Sequence, residues 1–262
     1  MAEQPIRFDD GAGYEQMMGK WSQLVGSIFL DWLSPARGLR WVDVGCGNGA
    51  FTDMIAERCS PAAIEGLDPS EGQLAYARTR PGSRLAAFRQ GDAMALPYAD
   101  NSFDIAAMAL VMFFVPDPLK GAAEMMRVVK PGGTVCAYVW DILHGGFPLD
   151  LLQEAMRDVG MKPVLPPSAR ISPMGALRGL WVDAGLEAIE TRAISVERTF
   201  SGFDDYWQTS LLGSGIGPKV AAMPDDRREE LKARLRARLR PDATGQITIV
   251  GRANAVSGKV PT

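Results

Sequence analysis

The chain has one histidine, His144, and three scattered cysteines, Cys46, Cys59 and Cys136. A single histidine excludes any mechanism built on a histidine cluster. Three cysteines at this spacing make neither a disulfide framework nor a zinc site. They suit a reducing compartment, so a cytoplasmic setting is expected. No run of about 18 apolar residues occurs, so no membrane span is expected. The longest apolar run, Ile105 to Pro116, has the length of a buried strand and its continuation. The opening residues MAEQPIRFDD lack the apolar core of a signal peptide. There is no excess of charge: 28 basic against 31 acidic residues leave −3. That gives no global case for nucleic acid or an anionic membrane. Internal repeats and low-complexity tracts are also absent.

What is present is 262 residues, 47% of them apolar, enough for one α/β domain with a cap. The informative stretch is Leu39–Ala50, LRWVDVGCGNGA. Trp41, Val42 and Val44 read as a short buried strand. Glycines come next at 45, 47 and 49, and then Phe51, Met54 and Ile55 begin a helical rhythm. Strand, glycine turn and helix in that order suit a nucleotide-type cofactor. Glycine admits positive φ and close approach of a ligand. The helix N-terminus behind it offers unpaired N–H groups.

The rest of the chain extends this unit. Strands are expected at 63–67, 85–90, 103–110 and 134–140, alternating with helices at about 50–58, 73–79 and 119–129. That alternation predicts a parallel, doubly wound sheet. Upstream, Tyr14, Met17, Met18, Trp21, Leu24, Val25 and Ile28 keep helical spacing, with Tyr14 and Trp21 on one face. That face either packs on the domain or covers a cofactor, particularly a cationic one. Beyond Trp140 the rhythm changes. Glycines and prolines of 141–171 surround one helix, about 149–159. A helix at 172–184, a strand at 186–199, helices at 203–213 and 225–239, and a last strand at 246–256 complete the chain.

Gly45-Cys46-Gly47-Asn48-Gly49-Ala50 fits G-x-G-x-x-A, the dinucleotide fingerprint. It keeps a nicotinamide-dependent oxidoreductase open as an alternative. Asp43 argues against it. Two residues before the first glycine, a carboxylate would repel a pyrophosphate and would suit an ammonium group. It would equally suit a capping role on the loop amides. Asp68 ends the second strand, where a carboxylate accepts from ribose hydroxyls or caps the next helix. Asp92 closes the third strand, as a ligand contact or a turn aspartate. Three acids at successive strand ends, with no basic residue beside them, point to a cofactor without phosphates.

VDVGCGNG, IEGLDPS, QGDAMALPYADNSFD and RVVKPGG succeed one another through residues 41–140. Together they resemble the class I S-adenosylmethionine-dependent methyltransferases, and within them the ubiquinone/menaquinone-biosynthesis-like small-molecule group. YEQMMGKWS resembles that group's N-terminal cofactor-covering helix. The resemblance implies a Rossmann-like, doubly wound seven-stranded sheet, parallel except for an antiparallel last strand, with helical cap insertions. All 262 residues would form one methyltransferase domain. Its parts would be the covering helix at about 14–33, the core at 39–140, and cap insertions at about 141–171 and 203–240.

The resemblance also implies roles. S-adenosylmethionine would be the cofactor, S-adenosylhomocysteine the product and a small molecule the acceptor. Gly45, Cys46 and Gly47 would line the methionine part, with Asp43 near its ammonium, directly or through water. Asp68 would hold the ribose, and Pro69 and Ser70 would lie beside the adenine. Asp92, with Ala93 and Met94, would read the adenine amino group. Ala109 and Leu110 would lie under the methyl-bearing region, and Tyr14 and Trp21 would contact the carboxylate or sulfonium. No metal is implied.

Methyl transfer needs positioning above all, and a base only where the nucleophile holds a proton of high pKa. The end of the fourth strand offers Met112-Phe113-Phe114 and no base. His144 is the weak catalytic candidate, set against an ordinary exposed loop histidine. A cofactor-binding regulator without turnover is a further alternative, and a homodimer is left open. Arg227–Arg240 reads as an amphipathic surface helix with Leu231, Leu235 and Leu239 as its stripe. The alternative is a contact with an anionic substrate, a lipid surface or RNA.

Overall fold

A computed structural model of the chain describes residues 15–162, 165–212 and 216–262. Seven strands form one sheet: β1 (Arg40–Val44), β2 (Ala63–Asp68), β3 (Ala86–Gln90), β4 (Phe103–Ala109), β5 (Val129–Trp140), β6 (Glu187–Phe200) and β7 (Ile247–Lys259). Their order is β3-β2-β1-β4-β5-β7-β6. The pairs from β3 through β5 are parallel, and β7 lies antiparallel between β5 and β6. This is the expected doubly wound sheet with its antiparallel last strand. The centre is apolar because helices cover both faces: Val42, Val44, Ala106, Ala107, Met108, Val135 and Ala137 are fully buried.

Two strand bounds differ from the reading of the sequence. β5 begins at Val129, not Thr134, since Val129 pairs with Phe103 before the register shifts around the Lys130–Gly133 turn residues. β7 runs on to Lys259 because its far end still pairs with Thr134 of β5. Turn-forming residues hid the first extension, and a polar Ser-Gly-Lys ending hid the second.

Register then explains the cap. Trp140, the last residue of β5, pairs with Ala253, which pairs with Ile194. Residues 195–200 and 247–252 therefore run past the carboxyl edge of the sheet as a free two-stranded ribbon, roughly 20 Å at a strand's rise. Helices at Phe203–Ser210, Gly217–Ala221 and Asp225–Arg238 hang from it. The last lies on the Asp150–Asp158 helix, with Arg238 paired to Asp158 and Glu154 and the Arg227 guanidinium on the Val159 carbonyl at 2.6 Å. Its other bases are also matched within the chain. Arg228 pairs with Asp225, Lys232 with Glu229 and Arg234 with Glu230, while Arg236 stacks over Phe203 at 4.0 Å. Leu231 and Leu235 are fully buried. The helix is an amphipathic packing element, with its charge neutralised in place.

At the N-terminus a π-helical turn, Glu15–Gly19, leads into the helix Lys20–Leu33. Its Trp21 meets Trp140 edge to face, centroids 6.4 Å apart. Gly251 on the ribbon makes room for both: an added Cβ would lie 3.1 Å from Trp140 and 3.4 Å from Trp21. Arg198, also on the ribbon, donates to the Gln16 and Met17 carbonyls at 3.1 and 3.0 Å. The N-terminal helix is thus fixed to the sheet edge from the β6/β7 side. Among the described residues no helix is long and apolar enough to cross a membrane.

Trp140 joins three parts of this arrangement: β5, the ribbon and the N-terminal helix. Trp140→Ala is expected to cost about 3–5 kcal/mol, the range for emptying a buried aromatic site. Urea unfolding checks it, and a loss below about 1 kcal/mol would contradict the assignment.

Candidate functional site

The carboxyl ends of β1 and β2 and the segment leaving β4 meet at the glycine loop. Gly45, Gly47 and Gly49 all have positive φ, at 76°, 52° and 79°, but they serve different ends. A Cβ on Gly45 would lie 2.5 Å from Val111, so the loop touches the segment leaving β4. A Cβ on Gly49 would lie 2.8 Å from Ala77, in the helix Glu71–Ala77. Among the described residues, a Cβ on Gly47 would meet nothing within 4 Å. Gly47 is therefore the glycine that faces open space.

The end of β2 holds the loop's shape. The Gly45 and Cys46 amides donate to the Leu67 carbonyl at 2.6 and 3.0 Å. The Gly47 amide donates to Asp68 Oδ2 at 2.9 Å, and the Ser70 amide to Asp68 Oδ1 at 2.9 Å. Each carboxylate oxygen takes one of these amides and keeps further acceptor capacity. Burial raises the Asp68 carboxyl above its ordinary value, against the lowering effect of the Ser70 and Gly47 amides.

Asp43 lies beneath the loop and is fully buried. Its Oδ2 accepts from Thr52 Oγ1 at 2.6 Å, tying β1 to the helix Ala50–Arg58. Its Oδ1 has no partner among the described residues. Burial pushes this carboxyl up to about 7, partly opposed by the Thr52 hydroxyl. Cys46 is buried as well, and desolvation with the nearby Asp43 and Asp68 carboxylates raises its thiol far above the ordinary range. It is a packing residue, not a nucleophile.

At the end of β3, Asp92 is exposed and its Oδ1 accepts from the Met94 amide at 2.8 Å. This is a local aspartate turn, with Ala93 and Met94 half-buried beside it. Ser70 caps the following helix by accepting from the Gln73 amide at 3.3 Å, and the Pro69 carbonyl accepts from Gln90 at 2.8 Å. Ala109 is half-buried at the end of β4. Leu110 comes next with φ 60°, buried, its amide donating to the Tyr138 carbonyl at 2.8 Å. A left-handed leucine costs about 1–3 kcal/mol and persists only where its surroundings impose it. Here the bend carries the chain to Val111, against Gly45. Trp21 is buried in the Trp140 contact, and Tyr14 lies outside the described residues.

His144 stands just beyond β5 with its side chain 61% exposed. Its Nδ1 is 3.1 Å from Oδ1 of the buried Asp141. Asp141 Oδ2 accepts from Arg252 Nε and Nη2 at 3.1 and 2.9 Å, and Arg252 also donates to the His144 carbonyl. Thr52, Val111 and Arg252 were not singled out from the sequence. Each acts through a residue between 9 and 111 positions away, and no local pattern signals such pairings.

The donor set fits a zwitterionic, ribose-bearing ligand better than a dinucleotide. Gly47 gives close approach, and Asp68 offers acceptor capacity at the end of β2. Among the described residues, Arg78 is engaged with Glu71 and Arg80 with Glu15, so neither is left for a pyrophosphate. Among the described residues no group of three metal-ligating side chains occurs.

Asp43 yields a test of this geometry. Between about pH 4 and pH 7 the folded chain holds a proton on Asp43 that the unfolded chain lacks. Its contribution to stability is present below about pH 4 and is lost as pH rises towards 7. Asp43→Asn removes that loss. The variant should gain on the natural protein across this range, by an amount of order 4 kcal/mol at most. Urea unfolding at several pH values measures the gap, and a pH-independent gap would contradict the burial argument.

Comparison with known proteins bears on the domain and the fold. Residues 42–137 match the model of a methyltransferase domain. Demethylmenaquinone methyltransferase of Desulfitobacterium hafniense is 43% identical over 103 residues, 37% of this chain and 41% of that protein. The Staphylococcus aureus enzyme of the same name is 38% identical over 101 residues, 38% of this chain and 42% of its own. The chain thus spans about two-fifths of the length of these curated relatives. In fold, it is similar to the YcgJ protein of Bacillus subtilis, with TM-score 0.62, 16% identity, and 93% of this chain and 99% of that one covered. It is also similar to phosphoethanolamine N-methyltransferase 2 of Haemonchus contortus bound to S-adenosylmethionine. There the TM-score is 0.58 and the identity 18%, with 95% of this chain and 56% of that one covered. Residues 42–137 are thus similar to a methyltransferase domain, carried on a fold shared with these solved structures.

Proposed function

We propose that the chain transfers a methyl group from S-adenosylmethionine to a small-molecule acceptor, chiefly by positioning. The observation that carries this is the open face of Gly47 beside the amide-braced Asp68, with Arg78 and Arg80 both paired elsewhere and neither left for phosphate. S-adenosylmethionine, when bound, supplies an activated methyl on a sulfonium that is already a good leaving group. The open face of Gly47 seats its amino-acid end, with Cys46 and Gly45 beside it. Asp68 takes the ribose hydroxyls on its remaining lone pairs, and the turn at Pro69–Ser70 and the Asp92–Ala93–Met94 turn flank the adenine. Ala109 and the bent Leu110 form the floor below the reacting methyl. Trp21 acts from behind, by fixing the N-terminal helix. Tyr14 is carried as a contact to the carboxylate or sulfonium on the resemblance alone. Asp43 shapes the loop from below, so its influence on an ammonium group passes through loop or water.

The acceptor side is built from 141–171 and 203–240, outside the matched residues 42–137. The segment after β4, Met112–Phe114, is apolar and carries no base. Positioning a bound acceptor in line with the methyl then supplies most of the rate. His144, held by Asp141 and Arg252, is the group placed to take a proton where the acceptor needs one removed. The three cysteines are free and buried, in keeping with a cytoplasmic setting. The reading requires no nucleic acid.

Calorimetric titration with S-adenosylhomocysteine tests the cofactor half. Binding is expected, and NAD(H) binding in its place would reverse the reading. Asp68→Ala should weaken S-adenosylhomocysteine by about 1–3 kcal/mol, the range for hydrogen bonds to a charged group; unchanged affinity would reject the ribose role. Incubation of labelled S-adenosylmethionine with fractionated metabolites, demethylated quinols among them, tests transfer. His144→Gln should lower kcat by at least about 100-fold on an acceptor whose proton must be removed, and leave it unchanged on one that ionises unaided.

A further inference from the structure

The side of the glycine loop away from β2 is tied to the N-terminal segment by a closed ring of polar contacts. Glu15, in the π-helical turn, accepts from Asn48 Nδ2 at 2.9 Å and from the Arg80 guanidinium through Oε2. Its Oε1 accepts from Gln23 at 3.0 Å. Arg80 Nε donates to the Asn48 carbonyl at 2.6 Å, which closes the ring. Asn48 also reaches the Ala50 amide through Oδ1 at 3.3 Å, at the start of the helix Ala50–Arg58. The ring therefore joins the N-terminal segment, the glycine loop and the chain after the helix Glu71–Ala77. The Glu15 and Arg80 side chains are only 24% and 13% exposed, so solvent screens the pair less than a surface ion pair.

Two further features bear on this ring. Asn48 directly succeeds Gly47, the glycine whose face is open. Movement of Glu15 is thus coupled to the peptide next to the cofactor seat. Gly19 is the second feature. It has ordinary helical angles, φ −58° and ψ −43°, so its backbone does not require glycine. A Cβ there would lie 2.7 Å from the Glu15 carboxyl. The space at Gly19 is what lets the Glu15 side chain fold back into the ring.

We propose that Glu15, Asn48 and Arg80 form a latch that docks the N-terminal helix onto the glycine loop and holds the loop in its cofactor-binding shape. Glu15 and Arg80 are positioning residues, acting through Asn48 on the Gly47 peptide. The proposal rests on the methyltransferase reading above. Coupling of this kind is reciprocal. A latch that tightens cofactor binding must itself be tightened by the cofactor.

The test uses the full chain, with S-adenosylhomocysteine as the probe. Glu15→Gln and Arg80→Met should each weaken binding by about fivefold, as expected for a partly buried charged contact. The double variant should lose scarcely more than either single one, because the two residues act through one contact. Gly19→Ala separates the latch from general packing. Alanine is the better helix former, so thermal stability without ligand should hold or rise while affinity falls. In the natural protein, S-adenosylhomocysteine should slow amide exchange across residues 15–33, and this protection should shrink in Glu15→Gln. Variants that bind within about twofold of the natural protein, or losses that simply add, would overturn the latch and leave the methyltransferase reading standing. Absence of binding to the natural protein would instead overturn that reading, and the latch with it.

Discussion

The end of β2 governs the shape of the glycine loop. Leu67 presents one carbonyl and Asp68 one carboxylate, and between them they take the amides of Gly45, Cys46 and Gly47. A tight turn exposes consecutive N–H groups that must be satisfied somewhere. Here a neighbouring strand satisfies them, which fixes the loop without a ligand. The parallel register of β1 and β2, Val44 beside Leu67, makes that possible. Once the amides are fixed, Gly45 faces Val111, Gly49 faces Ala77 and Gly47 faces open space. One constraint thus sorts three similar glycines into two packing positions and one seat.

The same constraint changes the sense of the acidic residues. From the sequence, Asp43, Asp68 and Asp92 form a row of carboxylates along the crevice. In the folded chain they stand at different depths. Asp43 is beneath the loop and bonded to Thr52, Asp68 is within it, and Asp92 is at the exposed end of β3. The buried one is held near neutrality by desolvation. The three acids therefore do not act as one row of charge, and of the two that burial raises, Asp68 is the one that lies within the loop. That carboxylate remains hostile to a pyrophosphate and suited to hydroxyl donors.

Much of the core was legible because its signals are local. Strand, loop and helix succeed one another within residues 39–58, and each acid sits next to the strand it ends. The depth of Asp43 was not legible, because it depends on Thr52 turning back beneath the loop. Trp21 shows the same limit. Its spacing from Tyr14 placed it on a common helix face, and only the β5/β7 register, which pairs Trp140 with Ala253 and leaves Gly251 beside its ring, puts that face in the core. Glu15 and Arg80 are 65 positions apart, and nothing in either neighbourhood marks them as partners. The basic run at 227–240 was readable as an amphipathic helix, while the acids that neutralise it from the Asp150–Asp158 helix were not.

Where the long strands end also explains why the chain divides into a readable and an unreadable half. The readable half is made by β1 to β4, where short strands and tight turns leave little freedom and motif residues lie at the turns. The other half hangs from the overhang of β6 and β7 past Trp140. Nothing in the sheet's hydrogen bonding limits how far such a ribbon extends, or which helices it carries, provided that its root at Ala253 stays paired. Arg198 and Gly251 on that ribbon nonetheless contact the N-terminal helix, which reaches the glycine loop through Glu15. The two halves therefore meet physically at the N-terminal helix. The ribbon is thus linked to the glycine loop through a continuous series of contacts across the N-terminal helix.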